Sequence, residues 1–158
     1  MNNKTNLYSQ SITSTLIGLP MQKDSIILLV DDRPENLLAL ESILSEDHRK
    51  FLTATSGGEA LIMTAMENID LILLDVHLGE VNGVDVARDL RKKPATAHIP
   101  IIFVTAISKR ETLSLEEFEP GTVDILRKPL DFAETRAKVN LYEEMSLLRK
   151  HYLNQKNK

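Results

Sequence analysis

The 158-residue chain contains no cysteine. That single absence excludes a disulfide framework, a thiolate zinc site and a cysteine nucleophile. No apolar run approaches the length needed to span a bilayer. The first residues form no sustained apolar block of the kind found in signal peptides. Charge of one sign is also missing: 19 Lys and Arg stand against 23 Asp and Glu, a formal net charge of −4. No basic footprint for a nucleic acid covers the chain. The basic residues near its end (Arg149, Lys150, Lys156, Lys158) read as a solvated face. A soluble, cytoplasmic protein with neither nucleic-acid binding nor membrane insertion is the expectation.

What is present is a 42% apolar composition, enough for one continuous core, and a length that suits one domain with modest extensions. Residues 1–23 are rich in Asn, Ser and Thr and are interrupted by Gly18 and Pro20, so they read as a flexible N-terminal extension. From residue 24 the pattern becomes regular. Ser25-Ile26-Ile27-Leu28-Leu29-Val30 is an unbroken apolar run, as expected of a strand buried on both faces. Pro34 opens a helix carrying Leu37, Leu38, Leu40, Ile43 and Leu44. Phe51 and Leu52 mark a brief strand, and Ser56 with Glu59 has capping-box spacing at the next helix start. An apolar run from Ile69 to Leu74 ends in Asp75, and a helix is expected after Gly83. Pro100 to Val104 ends at Thr105, a weaker helix is expected over 109–117, and the strand from Val123 to Leu126 ends beside Lys128. A long helix starts near Asp131. Strand–helix alternation of this kind implies an α/β fold: a doubly wound five-stranded parallel sheet with five helices, flavodoxin-like, with an extended last helix.

The chemistry lies where the apolar runs stop. Asp31 and Asp32 follow the first, Asp75 ends the third, Thr105 the fourth, and Lys128 follows the fifth. In an open parallel sheet, ligands bind at the carboxyl ends of the strands. Three carboxylates at one edge repel each other unless a cation sits among them, and an all-oxygen set suits Mg²⁺ or Mn²⁺. An ammonium and a hydroxyl beside them can hold phosphoryl oxygens, and a carboxylate can be the covalent nucleophile. Taken singly, each residue is more often a helix cap or a solvated side chain. Their joint placement at the ends of different strands points to phosphoryl transfer.

With these residues in view, the chain resembles the CheY-like receiver domain of two-component response regulators. The matching segments are Ile27 to Asn36, Leu73-Leu74-Asp75-Val76 with Gly83, Val104-Thr105-Ala106, and Lys128-Pro129. They are spaced as in the family, with 43, 30 and 23 positions between Asp32, Asp75, Thr105 and Lys128 in turn. The resemblance covers residues 24–140, leaving 141–158 as an extension of the last helix with a polar tail. It implies a phosphoprotein of a phosphorelay, not an enzyme beyond assisting its own phosphorylation and dephosphorylation. Asp75 would take the phosphoryl group from a histidine kinase or phosphotransfer protein. Asp31, Asp32, Asp75 and the backbone carbonyl of His77 would hold Mg²⁺, Thr105 and Lys128 would bind phosphoryl oxygens, and Ala106 would leave the site open. The Lys128-Pro129 bond would be cis.

Two positions depart from the family pattern. Ile125 stands where an aromatic switch partner of Thr105 is usual, so either the coupling of Thr105 and Ile125 runs differently or the output is weaker. Gly79 replaces a usual proline, which predicts a more mobile loop after Asp75. These departures keep a second reading open, a phosphorylation-independent interaction module with a receiver fold. An aspartyl phosphohydrolase is disfavoured, because His77 stands where its second Asp belongs. His48, His98 and His151 show no metal-ligand spacing. After Asp131 the sequence offers one helical segment, on which Leu141, Met145, Leu148 and Tyr152 are spaced 4, 3 and 4 like a short coiled-coil seam. A homodimer through this last helix is the expected use. Met1 suits a natural start.

Overall fold

The computed structural model describes residues 24–106 and 113–157. Five strands, β1 (Ser25–Val30), β2 (Arg49–Ala54), β3 (Leu71–Asp75), β6 (Ile101–Thr105) and β7 (Val123–Arg127), form one sheet in the order β2-β1-β3-β6-β7. Every neighbouring pair is parallel. Between β3 and β6 lies a small antiparallel pair, β4 (His77–Leu78) and β5 (Val81–Asn82). Four helices are described: α1 (Pro34–Leu44), α2 (Gly57–Met66), α3 (Gly83–Lys92) and α4 (Phe132–Lys156).

The central strands are apolar on both faces because helices cover both. Ile27 and Leu29 of β1, with Leu71 and Leu73 of β3, pack against Leu37, Leu40 and Leu44 of α1 and Val139 and Tyr142 of α4. Leu28, Val30, Ile72 and Leu74 point the other way, onto Ala60 of α2 and Val84, Ala87 and Leu90 of α3. Period-two alternation thus divides each strand between two cores. Helix starts follow local chemistry. Ser56 Oγ accepts from the Glu59 amide (3.1 Å), Asn82 Oδ1 from the Val84 amide (2.8 Å) and Asp131 Oδ1 from the Glu134 amide (2.7 Å), while Pro34 opens α1 without a side-chain cap.

The doubly wound parallel sheet agrees with the sequence reading, and two details differ. Of the helix expected over 109–117, residues 109–112 lie outside the described residues, and 113–117 form no helix. Leu113 and Leu115 are half-buried on the core while Ser114 and Glu116 face solvent, a period of two that suits extended chain. Strand β2 runs from Arg49 to Ala54 rather than covering Phe51 and Leu52 alone, since as an edge strand beside β1 it tolerates the polar Lys50 and Thr53. The loop after Asp75 is held by β4–β5 pairing, with Gly79 at φ 63°, a conformation closed to proline. The Lys128-Pro129 bond is cis. The N-terminal extension lies outside the described residues.

Helix α4 is fastened to the opposite, amino-terminal edge of the sheet by a buried charge network. Arg49 of β2 meets Glu143 of α4 through two bonds (Nε–Oε2 2.9 Å, Nη2–Oε1 3.0 Å) and donates further to the Leu44 carbonyl and Asn140 Oδ1. Ser25 Oγ also donates to Glu143, and His48 Nε2 lies 3.2 Å from its other oxygen. Next to Glu143 on α4, Tyr142 donates to Asp124 of β7 (3.1 Å), and burial with that nearby charge pushes its hydroxyl pKa up to about 12.

Burial pushes the Glu143 carboxyl up, but the bonds from Arg49 and Ser25 and the Arg49 charge outweigh it and hold its pKa below the ordinary 4.5. A lowered carboxylate contributes stability that is present above the ordinary value and is lost as pH falls through the folded one. Urea unfolding between neutral and acid pH should therefore show a stability loss below about pH 4.5 that is smaller in Glu143→Gln. Arg49→Ala, which leaves Glu143 buried without its partner, should cost roughly 3–5 kcal/mol at neutral pH.

Candidate functional site

Strand register brings the polar residues together. Val30 of β1 pairs with Leu74 of β3, so Asp31 and Asp75 follow side by side. Asp75 pairs with Val104 of β6, so Thr105 is its next neighbour, and Thr105 pairs with Arg127 of β7, so Lys128 comes next. Strands spaced roughly 4.8 Å apart then set four functional residues along one carboxyl edge. The site spans the switch in strand order between β1 and β3, where an open α/β sheet leaves a crevice.

One carboxylate oxygen from each of Asp31, Asp32 and Asp75 lies within 4.8 Å of the others. Asp31 and Asp75 are buried and Asp32 is exposed. Lys128 Nζ sits 3.2 Å from Asp31 Oδ2 and 3.2 Å from Asp75 Oδ2. Asp31 Oδ1 accepts from the Arg33 amide (2.9 Å), its Oδ2 accepts from Asn36 Nδ2 (3.1 Å), and Asp75 Oδ1 accepts from the His77 amide (3.0 Å). The Lys128 amide donates to the Thr105 carbonyl (2.8 Å), which ties the lysine's backbone to the end of β6.

Burial pushes the Asp75 carboxyl above its ordinary value; the His77 amide and the Lys128 charge pull it down, and Asp31 adds to the upward push. For Lys128, burial favours the neutral amine, but the Asp75 and Asp31 carboxylates outweigh it and raise its pKa, so it stays charged at neutral pH. Three carboxylates against one ammonium leave the pocket short of positive charge. The Thr105 hydroxyl oxygen is fully buried and has no hydrogen-bond partner among the described residues. A buried hydroxyl without a partner costs on the order of 1–3 kcal/mol, so it marks a place prepared for another polar atom. The donor set fits a hard divalent cation: clustered carboxylate oxygens with excess negative charge and one exposed member open to water.

The structure therefore brings Asp31, Asp32, Asp75 and Lys128 into one cluster and places Thr105 at the adjoining strand end. The His77 side chain is exposed and outside the cluster; its backbone supplies the Asp75 contact. Ile125 is not in the pocket. It pairs with Phe103, two positions before Thr105 pairs with Arg127, and so on the face of the sheet that Thr105 shares. Aromatic filling of that face comes instead from Phe103 and Phe118, whose rings are 5.9 Å apart.

Two positions have roles that sequence reasoning did not assign. Asn36 reaches back from the first turn of α1 to Asp31, and its position five residues after an aspartate at a helix start was the available signal. Gly83 starts α3 against the end of β3: its amide donates to the Val76 carbonyl (2.6 Å), and a Cβ built there would stand 2.1 Å from the Asp75 carbonyl oxygen.

The fold and this pocket define a class, a doubly wound α/β domain with an acidic, lysine-bridged crevice at its switch point. Comparison with known proteins places the chain within it. Residues 27–140 match the model of the response regulator receiver domain, and the chain belongs to that family. It is 38% identical over 115 residues to the response regulator PleD of Caulobacter vibrioides, an alignment covering 70% of this chain and 25% of PleD. It is 33% identical over 105 residues to the protein PilH of Pseudomonas aeruginosa, covering 66% of this chain and 86% of PilH. The chain thus spans about a quarter of PleD but most of PilH. A Francisella response regulator receiver domain superposes with a TM-score of 0.66 at 24% identity, over 78% of this chain and 99% of that one, and shows the shared fold. Among the described residues no helix is long and apolar enough to cross a membrane.

A methyl group at position 83 would press on backbone that has little room to shift, so Gly83→Ala should destabilise by about 1–3 kcal/mol in chemical denaturation. Gly58, with open space around its Cβ position in the first turn of α2, is the control. Gly58→Ala should stabilise by roughly 0.4–1 kcal/mol.

Proposed function

We propose that this chain is a phosphoacceptor in a two-component phosphorelay, taking a phosphoryl group on Asp75 from a histidine kinase or phosphotransfer protein and signalling by conformational change in the cytoplasm. The observation that carries the reading is the carboxylate cluster of Asp31, Asp32 and Asp75 bridged by Lys128 beside an unpartnered Thr105 hydroxyl. A carboxylate oxygen of Asp75 forms the new O–P bond as the P–N bond of a phosphohistidine donor breaks, and the imidazole leaves. The upward push on the Asp75 pKa makes its carboxylate more basic and so more nucleophilic.

Asp31, Asp32, Asp75 and the main-chain carbonyl of His77 would hold Mg²⁺ or Mn²⁺. When bound, the cation neutralises the clustered carboxylates and the phosphoryl oxygens. Lys128 already touches Asp75 and can follow the charge onto a phosphoryl oxygen with little movement. Thr105 can donate its hydroxyl to another. Occupying that hydroxyl would favour one arrangement of the β6 end over others, a population shift felt by Ile125 on the same face. Thr105 and Ile125 form the switch in this reading, without an aromatic ring. The domain assists its own phosphorylation and dephosphorylation and is otherwise not an enzyme.

Intact mass spectrometry after incubation with acetyl phosphate and Mg²⁺ tests the reading. A single phosphoryl adduct should form on the wild type, vanish when the metal is chelated, and be absent from Asp75→Asn. Lys128→Met should slow its formation by about 100-fold, the scale expected for losing one charge-stabilising donor. An unmodified wild type, with acetyl phosphate and with a promiscuous histidine kinase alike, would turn the assignment to a phosphorylation-independent interaction module.

A further inference from the structure

Three donors converge on the buried Asp31 carboxylate, and they differ in kind. The backbone of this residue is fixed first, its amide donating to the Ala54 carbonyl at the end of β2 (3.1 Å). Oδ1 then accepts from the Arg33 amide (2.9 Å), and Oδ2 accepts from both Asn36 Nδ2 (3.1 Å) and Lys128 Nζ (3.2 Å). A carboxylate offers about four lone-pair directions, two on each oxygen. Oδ2 therefore has both of its directions taken, while Oδ1 keeps one for a cation or for water bound to it. The other two carboxylates of the cluster have less support. Asp75 accepts from the His77 amide and Lys128, and Asp32 is exposed.

Asn36 and Lys128 share one acceptor atom but not one fate. The Lys128 ammonium rides on a flexible four-carbon stem, and during phosphoryl acceptance it follows the charge from the carboxylates onto a phosphoryl oxygen. Once it is withdrawn, Oδ2 keeps Asn36 alone. Asn36 cannot follow, because its side chain is short and sits in the first turn of α1, a helix held to the core by Leu37, Leu40 and Leu44. It is also uncharged. An amide at this place orients the carboxylate without offsetting the negative charge that draws a cation to the cluster, which a lysine or arginine would do.

Building on the phosphoacceptor function proposed for this site, we infer that Asn36 is a positioning residue that sets how tightly the pocket holds a divalent cation. It does so by fixing the Asp31 carboxylate through Oδ2, both at rest and when Lys128 has moved away. Hydrogen-bond partners of metal-ligating groups fix ligand orientation, and losing one costs roughly 10- to 100-fold in affinity. If the Asn36 bond merely closed the first turn of α1, its loss would lower stability and leave the affinity alone.

Calorimetric titration of the full chain with Mn²⁺, in the absence of any phosphoryl donor, separates the two roles. Asn36→Ala should bind Mn²⁺ roughly 10- to 100-fold more weakly than the wild type, and alanine at this position keeps the helix. Pro34→Ala, which loosens the same helix start without touching a carboxylate, should bind Mn²⁺ as the wild type does. With acetyl phosphate present, the Mg²⁺ concentration giving half-maximal formation of the phosphoryl adduct should rise in Asn36→Ala by the same factor as the dissociation constant. Equal Mn²⁺ affinity in the wild type and Asn36→Ala overturns the inference and leaves the phosphoacceptor function standing. Equal weakening in Asn36→Ala and Pro34→Ala makes Asn36 a helix-start residue only and overturns it too. A wild type that binds no Mn²⁺ overturns it together with the metal dependence of phosphoryl acceptance.

Discussion

Everything at the functional edge depends on the contact of one ammonium with two carboxylates. Lys128 lies equally close to Asp31 and Asp75, and without it two buried or nearly buried negative charges would stand side by side in a region of reduced dielectric. The lysine offsets part of that repulsion and leaves the rest as an unmet demand for positive charge. Proteins usually avoid such imbalance, because an unpaired buried charge is costly. Its persistence here is the physical mark of a pocket with room for further positive charge, and its clustered carboxylates could hold a metal ion. The buried Thr105 hydroxyl, left without a partner, is the same argument in neutral form.

The rest of the fold serves to keep that edge in place. Register between β1, β3, β6 and β7 sets the spacing, and the apolar strands anchor it through two cores. Gly83 allows α3 to begin hard against the Asp75 backbone, which closes the space behind that carboxylate. At the far edge the Arg49–Glu143 network locks α4 to β2. Two charge clusters at opposite ends of the sheet therefore do different work. The far one is fully paired and holds structure; the near one is underpaired and can hold a ligand.

The departures from the family pattern also have a physical reading. Gly79 adopts a positive φ that a proline could not, and the β4–β5 pair forms around it. At the face below Thr105, Ile125 takes a position where a ring is usual, while Phe103 and Phe118 fill the neighbouring core. A branched aliphatic side chain has no planar ring to rotate, so any coupling of Thr105 to the surface would run through the packing of Ile125 against its neighbours.

The sequence alone determined the strand ends and hence the site. Apolar runs stopping at Asp31, Asp75, Thr105 and Lys128 are local patterns, and parallel-sheet topology converts them into one edge with little freedom left. The helix-start residues Ser56 and Pro34 were legible for the same reason. Long-range partners were not. Nothing near Arg49 in the chain announces Glu143, 94 positions away, because a buried charge pair is defined only when two distant elements meet. The reach of Asn36 to Asp31, the approach of Gly83 to the Asp75 carbonyl and the extended path of Leu113 and Leu115 likewise needed the assembled sheet. Sequence periodicity carries which face of an element is apolar; the tertiary structure decides what that face and its charges touch.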